Sequence, residues 1–155
     1  MVNLSVVIPS YNGREVLRRA LGNLRAEVPE AEIVVIDGRS SDGSGDMVAA
    51  EFPEARLHEF PNYGWGHATN RGLSLSSGQH LLLLNSDVFV TRAAIAAMMV
   101  RLSGDRTVGA VGPVLVDEEG RREKVFGRIN LRNYVPARGV ERVGLLSGAC
   151  LMTRR

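Results

Sequence analysis

The chain has 155 residues, enough for one domain that buries most of the surface its unfolded form exposes. With 45% hydrophobic and 23% charged residues it has the balance of a folded globular protein, which excludes a disordered or fibrous chain. The 19 Lys and Arg against 17 Asp and Glu leave a formal charge of +2, and without a basic run interleaved with aromatics this excludes a dedicated nucleic-acid surface.

Taken in order, Leu4 to Ile8 is a short β-branched apolar run halted by Pro9, the pattern of a buried strand. From Arg14 to Ala26, Leu17, Leu21 and Leu24 share one helical face with Val16 and Ala20 beside them, and Pro29 marks the end. Ile33 to Ile36 reads as a second buried strand. The Ser-, Asp- and Gly-rich segment 38–45 then turns into a helix over about Gly45 to Glu51. Arg56 to Phe60 is a weak edge strand, and Asn62 to Gly66 a loop leading into a helix near His67 to Ser76 that Gly78 closes. Leu81 to Leu84 is the most apolar tetrapeptide and ends in Asn85-Ser86-Asp87. Thr91 can cap the next helix, with Ala94, Met98 and Leu102 on one face, and Val108 to Val116 supplies one or two more strands.

Strand and helix alternate through about residue 112, which predicts an α/β fold with a mostly parallel, doubly wound sheet flanked by helices. Residues 117–143 lack periodicity and read as a long loop or loose hairpin; Val143 to Met152 returns to an apolar, strand-like run. The whole, 1–155, reads as a single domain. The lone cysteine, Cys150, allows no internal disulfide and points to the cytoplasm and a buried structural role. No apolar stretch reaches the roughly 18 residues of a membrane helix. Basic residues gather between Arg121 and Arg155; they read as a solvated face, with phosphates or an anionic membrane leaflet at the inner face as the alternative contact.

Polar clusters stand where strands end: Pro9-Ser10-Tyr11-Asn12, Asp37 to Ser44, Asn62 to Gly72, and Asn85-Ser86-Asp87. In open α/β sheets ligands bind outside the carboxyl ends of the strands, so the clusters can converge on one crevice. No G-x-G-x-x-G follows the first strand, which argues against a dinucleotide oxidoreductase. The four clusters in this order, together with GAVGP at 109–113 and SGACLMTRR at 147–155, resemble the family 2 inverting glycosyltransferases of GT-A (Rossmann-like) fold, rhamnosyltransferase-like members in particular.

That resemblance implies a nucleotide-diphosphate sugar donor, UDP- or dTDP-linked, a glycan or lipid-linked acceptor in cell-envelope polysaccharide synthesis, and Mg²⁺ or Mn²⁺. The turn at Pro9 would shape the base pocket, and Tyr11 would wall it or else pack between helices. Asp37 would accept from the base or ribose, or else cap its turn. Asp42 reads as a structural cap and Arg39 as a surface substitution. Asn70 and Arg71 would lie near the nucleotide, Arg71 being suited to a diphosphate or else an ordinary exposed arginine. His67 has no second histidine or cysteine nearby and is a poor metal ligand.

Asn85 and Ser86 would flank the donor, and Asp87 would hold the metal, unless it caps the helix that follows; a single carboxylate implies weak metal binding without nucleotide. The family's general base lies beyond the strand matching SGACLMTRR, so no catalytic base is identified in the chain. The expectation is an enzyme's donor-binding portion truncated at the C-terminus, with a non-catalytic nucleotide- or partner-binding module as the alternative. A face left open by such truncation would favour self-association.

Overall fold

The computed structural model of the chain describes residues 3–122, 127–129, 134–136, 142–143 and 146–155. Strands β1 (Leu4–Ser10), β2 (Glu32–Asp37), β3 (Arg56–Glu59), β4 (His80–Leu84), β5 (Ala110–Val111) and β8 (Cys150–Arg154) form one sheet in the order β3-β2-β1-β4-β8-β5. β1 pairs in parallel with β2 and β4, β2 with β3, and only β8 runs against its neighbours β4 and β5. The mostly parallel α/β sheet expected from the sequence is therefore present. Its order reverses at β1, because β2 and β3 are laid on one side and β4 on the other.

Helices α1 (Arg14–Glu27), α2 (Ser44–Glu51) and α4 (Arg92–Gly104) cover one face, and α3 (Trp65–Leu75) covers the other. The alternation of side chains along β1 divides them: Leu4, Val6 and Ile8 join Leu17, Leu21 and Leu24 of α1, whereas Val7 joins Val34, Ile36 and Leu83 beneath α3. α3 comes so close to the sheet that a Cβ on Gly72 would stand 2.2 Å from Val7 Cγ1. Only glycine fits that contact.

Several boundaries differ from the sequence reading for local reasons. Pro9 does not end β1, which runs on to Ser10. Pairing with β4 stops at Val7–Leu83 while pairing with β2 continues to Ser10–Asp37, so Pro9 sits where β1 has a single neighbour and a missing N–H is tolerated. α3 begins at Trp65, two residues before the expected His67, because Asn62 Oδ1 accepts from the Gly64 N–H at 3.0 Å and tightens the preceding turn. It is capped at Ser76, ahead of Gly78. In α4 the buried stripe is Ile95, Met98 and Leu102, with Ala94 only half-buried.

The strand expected over Val108 to Val116 shrinks to β5, with Val116 bridging Arg122 alone. The apolar tail pairs only from Cys150 onward, later than the Val143 start read from hydropathy. Within 117–143 the described residues include a short antiparallel pair, β6 (Gly127–Ile129) with β7 (Tyr134–Pro136). Residues 117–122 and 142–143 of that segment are described as well, whereas Lys124, Arg132 and Arg138 lie outside the described residues. No described helix is long and apolar enough to cross a membrane.

Candidate nucleotide-sugar site

The carboxyl ends of β1, β2, β3 and β4 lie along one edge of the sheet, and hydrogen bonds lace together the loops that leave them. Gly38 N–H donates to the Ser10 carbonyl at 2.8 Å, Asn12 N–H to Ser40 Oγ at 2.8 Å, and Ser41 N–H to Asn12 Oδ1 at 2.8 Å. Asn12 and Arg39 both take positive φ, 50° and 60°, and so bend the first two loops towards each other. A Cβ on Gly38 would come within 2.9 Å of the Tyr11 ring and 3.1 Å of Asn62 Cβ. The first three clusters thus meet at Gly38.

Asp37 is buried, and its carboxylate accepts from the Ser40 N–H and hydroxyl, both at 2.7 Å. In this arrangement it orders its own loop, which is the capping role the sequence left open beside ligand contact. Asp42 accepts from the Arg14 N–H at 2.9 Å and from the Ser44 N–H and hydroxyl at 3.0 and 2.6 Å. It therefore fixes the starts of α1 and α2 together. The Ser44 hydroxyl, more than any other donor, holds the Asp42 carboxyl below the usual carboxylate range. Tyr11 is exposed beside these loops and does not pack between helices.

Asn85, Ser86 and Asp87 form a tight turn after β4, closed by Val88 N–H donating to the Asn85 carbonyl at 3.2 Å. The alternative in which Asp87 caps α4 fails. Thr91 takes that position, its Oγ1 accepting from Ala94 N–H at 3.2 Å. Asp87 is exposed and accepts no hydrogen bond from the described residues, so its carboxylate is open to a cation. No cluster of three or more potential metal-ligating side chains occurs among the described residues.

Not every expected residue is brought to this edge by a visible contact. Arg71 is exposed, with its guanidinium 5.1 Å from the centre of the Phe60 ring, and Asn70 is exposed on α3 with no side-chain hydrogen bond among the described residues. Ser86 is half-buried and equally unbonded there. Trp65 was not singled out in the sequence. Its indole N–H donates to Asn85 Oδ1 at 2.9 Å, tying α3 to the β4 turn; the signal for it was a lone tryptophan opening a helix within the third cluster. Cys150 is buried in β8, and burial pushes its thiol up to about 12, so it is no nucleophile.

The mostly parallel sheet, the reversal at β1 and the laced loops above it form an α/β domain of the kind that glycosyltransferases use. The sequence model described as Glycosyl transferase family 2 matches residues 5–153, and the chain belongs to that family. It is 26% identical over 81% of its length to a GalNAc(5)-diNAcBac-PP-undecaprenol beta-1,3-glucosyltransferase of Campylobacter jejuni, and 30% identical over 70% to a probable glycosyltransferase of Bacillus subtilis. A stretch of 66 residues, 40% of the chain, is 44% identical to an undecaprenyl-phosphate mannosyltransferase of Micrococcus luteus. The chain spans 42%, 28% and 27% of those three relatives.

Among solved structures, a mannosyltransferase of Pyrobaculum calidifontis in complex with GDP-Man and Mn²⁺ superposes with a TM-score of 0.65 at 27% identity, covering 74% of this chain and 36% of that one. TarS of S. aureus, at 18% identity, shares the fold, with a TM-score of 0.72 over 99% of this chain and 47% of its own.

Proposed function

We propose that this domain binds a nucleotide-diphosphate sugar, UDP- or dTDP-linked, across the carboxyl edge of β1, β2 and β4, for transfer of the sugar to an acceptor hydroxyl with inversion. The observation that carries this reading is the open Asp87 carboxylate on the β4 turn, beside loops that Asn12, Gly38 and Ser40 knit into one wall. Tyr11 and the turn at Pro9 and Ser10 would bound the base, and Asp37, buried and bonded to Ser40, keeps the wall in shape. Arg71, released from Phe60, has the reach and charge for a phosphate.

Together with the diphosphate oxygens, Asp87 would hold Mg²⁺ or Mn²⁺, a group that would supply neutralisation of the charge developing on the leaving group. The Mn²⁺ and GDP-Man of the Pyrobaculum relative support both the metal and the donor class. Two relatives named for undecaprenyl-linked substrates support a lipid-linked acceptor, and with it a cytoplasmic enzyme working peripherally at the membrane. No residue of the chain is assigned as the general base.

Calorimetric titration of UDP, dTDP and GDP, with and without Mn²⁺, tests the donor site. Binding should be metal-dependent, and Asp87→Ala should remove the metal dependence, weakening the nucleotide about tenfold or more. Failure of every nucleotide to bind, or an Asp87→Ala variant that responds to Mn²⁺ like the parent, would refute the assignment.

A further inference from the structure

Trp65 is the sole tryptophan of the chain and is 45% exposed, although it is held on two sides. Its indole N–H is bonded to Asn85, and its six-membered ring packs against Gly148, where a Cβ would stand 3.2 Å from Cη2 and 3.4 Å from Cζ2. The Asn85 N–H in turn donates to the Ala149 carbonyl at 2.9 Å, so the β4 turn, the loop before β8 and the first residue of α3 form one assembly with the indole across it. The indole is fixed in place and left half open at the mouth of the crevice, which is the state of a preorganised ligand contact.

We infer that the exposed indole surface of Trp65 is the platform for the sugar ring of the donor, an inference that rests on the nucleotide-sugar reading above. The direction of the donor follows from the strand order. The base lies at the ends of β2 and β1 and the diphosphate at Asp87 on the β4 turn, so the sugar, on the far side of the diphosphate from the base, lies towards β8. The Trp65–Asn85–Gly148 assembly spans that interval. A pyranose offers an apolar C–H face that an indole covers, and hydroxyls round its rim that an amide can reach. Because the indole N–H can only donate, it fixes the side-chain oxygen of Asn85 towards itself and leaves the Asn85 amide nitrogen as a donor to a sugar hydroxyl.

With a single tryptophan, intrinsic fluorescence reports on this residue alone. UDP, dTDP and GDP, each free and as its glucose or mannose conjugate, are titrated with Mn²⁺ into the parent, Trp65→Phe and Trp65→Ala proteins, following fluorescence in the parent and heat in all three. The sugar conjugate should change the emission of Trp65 where the free nucleotide does not. Trp65→Ala should weaken the conjugate about tenfold and the free nucleotide less than about twofold, and Trp65→Phe, which keeps an aromatic face, should retain most of the sugar's increment.

If conjugate and free nucleotide bind but leave the emission alike, and Trp65→Ala weakens them equally, Trp65 is a strut and the inference falls while the donor site stands. If no nucleotide binds at all, the donor-site reading and this inference fall together.

Discussion

At Glu32 one carboxylate serves four donors: the Ser5 hydroxyl, the Arg56 guanidinium, and the Ser77 N–H and hydroxyl at 2.7 and 3.0 Å. Its side chain is only 10% exposed. Burial acts to raise its pKa, but the hydrogen bonds from Ser5, Ser77 and Arg56 outweigh it, and the group titrates below its ordinary 4.5. The unfolded chain therefore takes up this proton more readily than the folded one. The stability Glu32 contributes is complete above pH 4.5 and is lost as pH falls through the lower folded value. Glu32→Gln should cost about 2 kcal/mol at neutral pH and flatten the acid limb of stability against pH, as chemical denaturation at a series of pH values would show. Asp42→Ala acts at the other end of the sheet: by freeing the first turns of α1 and α2 it should lower the thermal midpoint and weaken nucleotide binding together, because the loop it anchors is part of the wall.

Among the elements, α3 depends most on a single contact. Gly72→Ala would drive a methyl into Val7 and towards Ile36, whose Cγ1 lies 3.2 Å from the added carbon, and overpacking of this kind costs about 1–3 kcal/mol. Adding Val7→Ala should recover part of that loss in a double-mutant cycle; strictly additive effects would mean that the helix does not rest on Val7. α4 is held at its end by Arg154 of β8, whose guanidinium donates to the Leu102 carbonyl and to those of Arg106 and Val108 at 3.0 and 2.9 Å. A lysine in its place offers one charge without the fork, so Arg154→Lys should loosen the turn between α4 and β5, read as faster amide exchange over 102–108.

For the whole molecule, Cys150 is a probe already in place. It is fully buried at the start of β8 with its thiol raised to about 12, so a thiol reagent should label it only when the sheet opens, and denaturant should accelerate labelling as unfolding does. Much of this architecture was legible in the chain. Apolar runs such as Leu81–Leu84 announce buried strands because a parallel strand is covered on both faces, and polar residues directly after them announce the edge where a ligand can sit.

Asp87 could be singled out through the resemblance of Asn85-Ser86-Asp87 to the family's acidic motif, but only the structure shows that Thr91 and not Asp87 caps α4. What periodicity could not decide were matters set by neighbours distant in sequence: that Pro9 continues β1 because β4 has already parted from it, that Asp37 turns inward to Ser40, that Arg71 rests on Phe60, and that Trp65 crosses the crevice to Asn85 and Gly148. The sequence alone determined the family, the alternation of strand and helix and the edge where the polar clusters gather, since these follow from local pattern. Only the tertiary structure decided which polar groups are consumed in holding the loops and which remain open to a ligand, since that depends on partners the chain brings together from tens of residues apart.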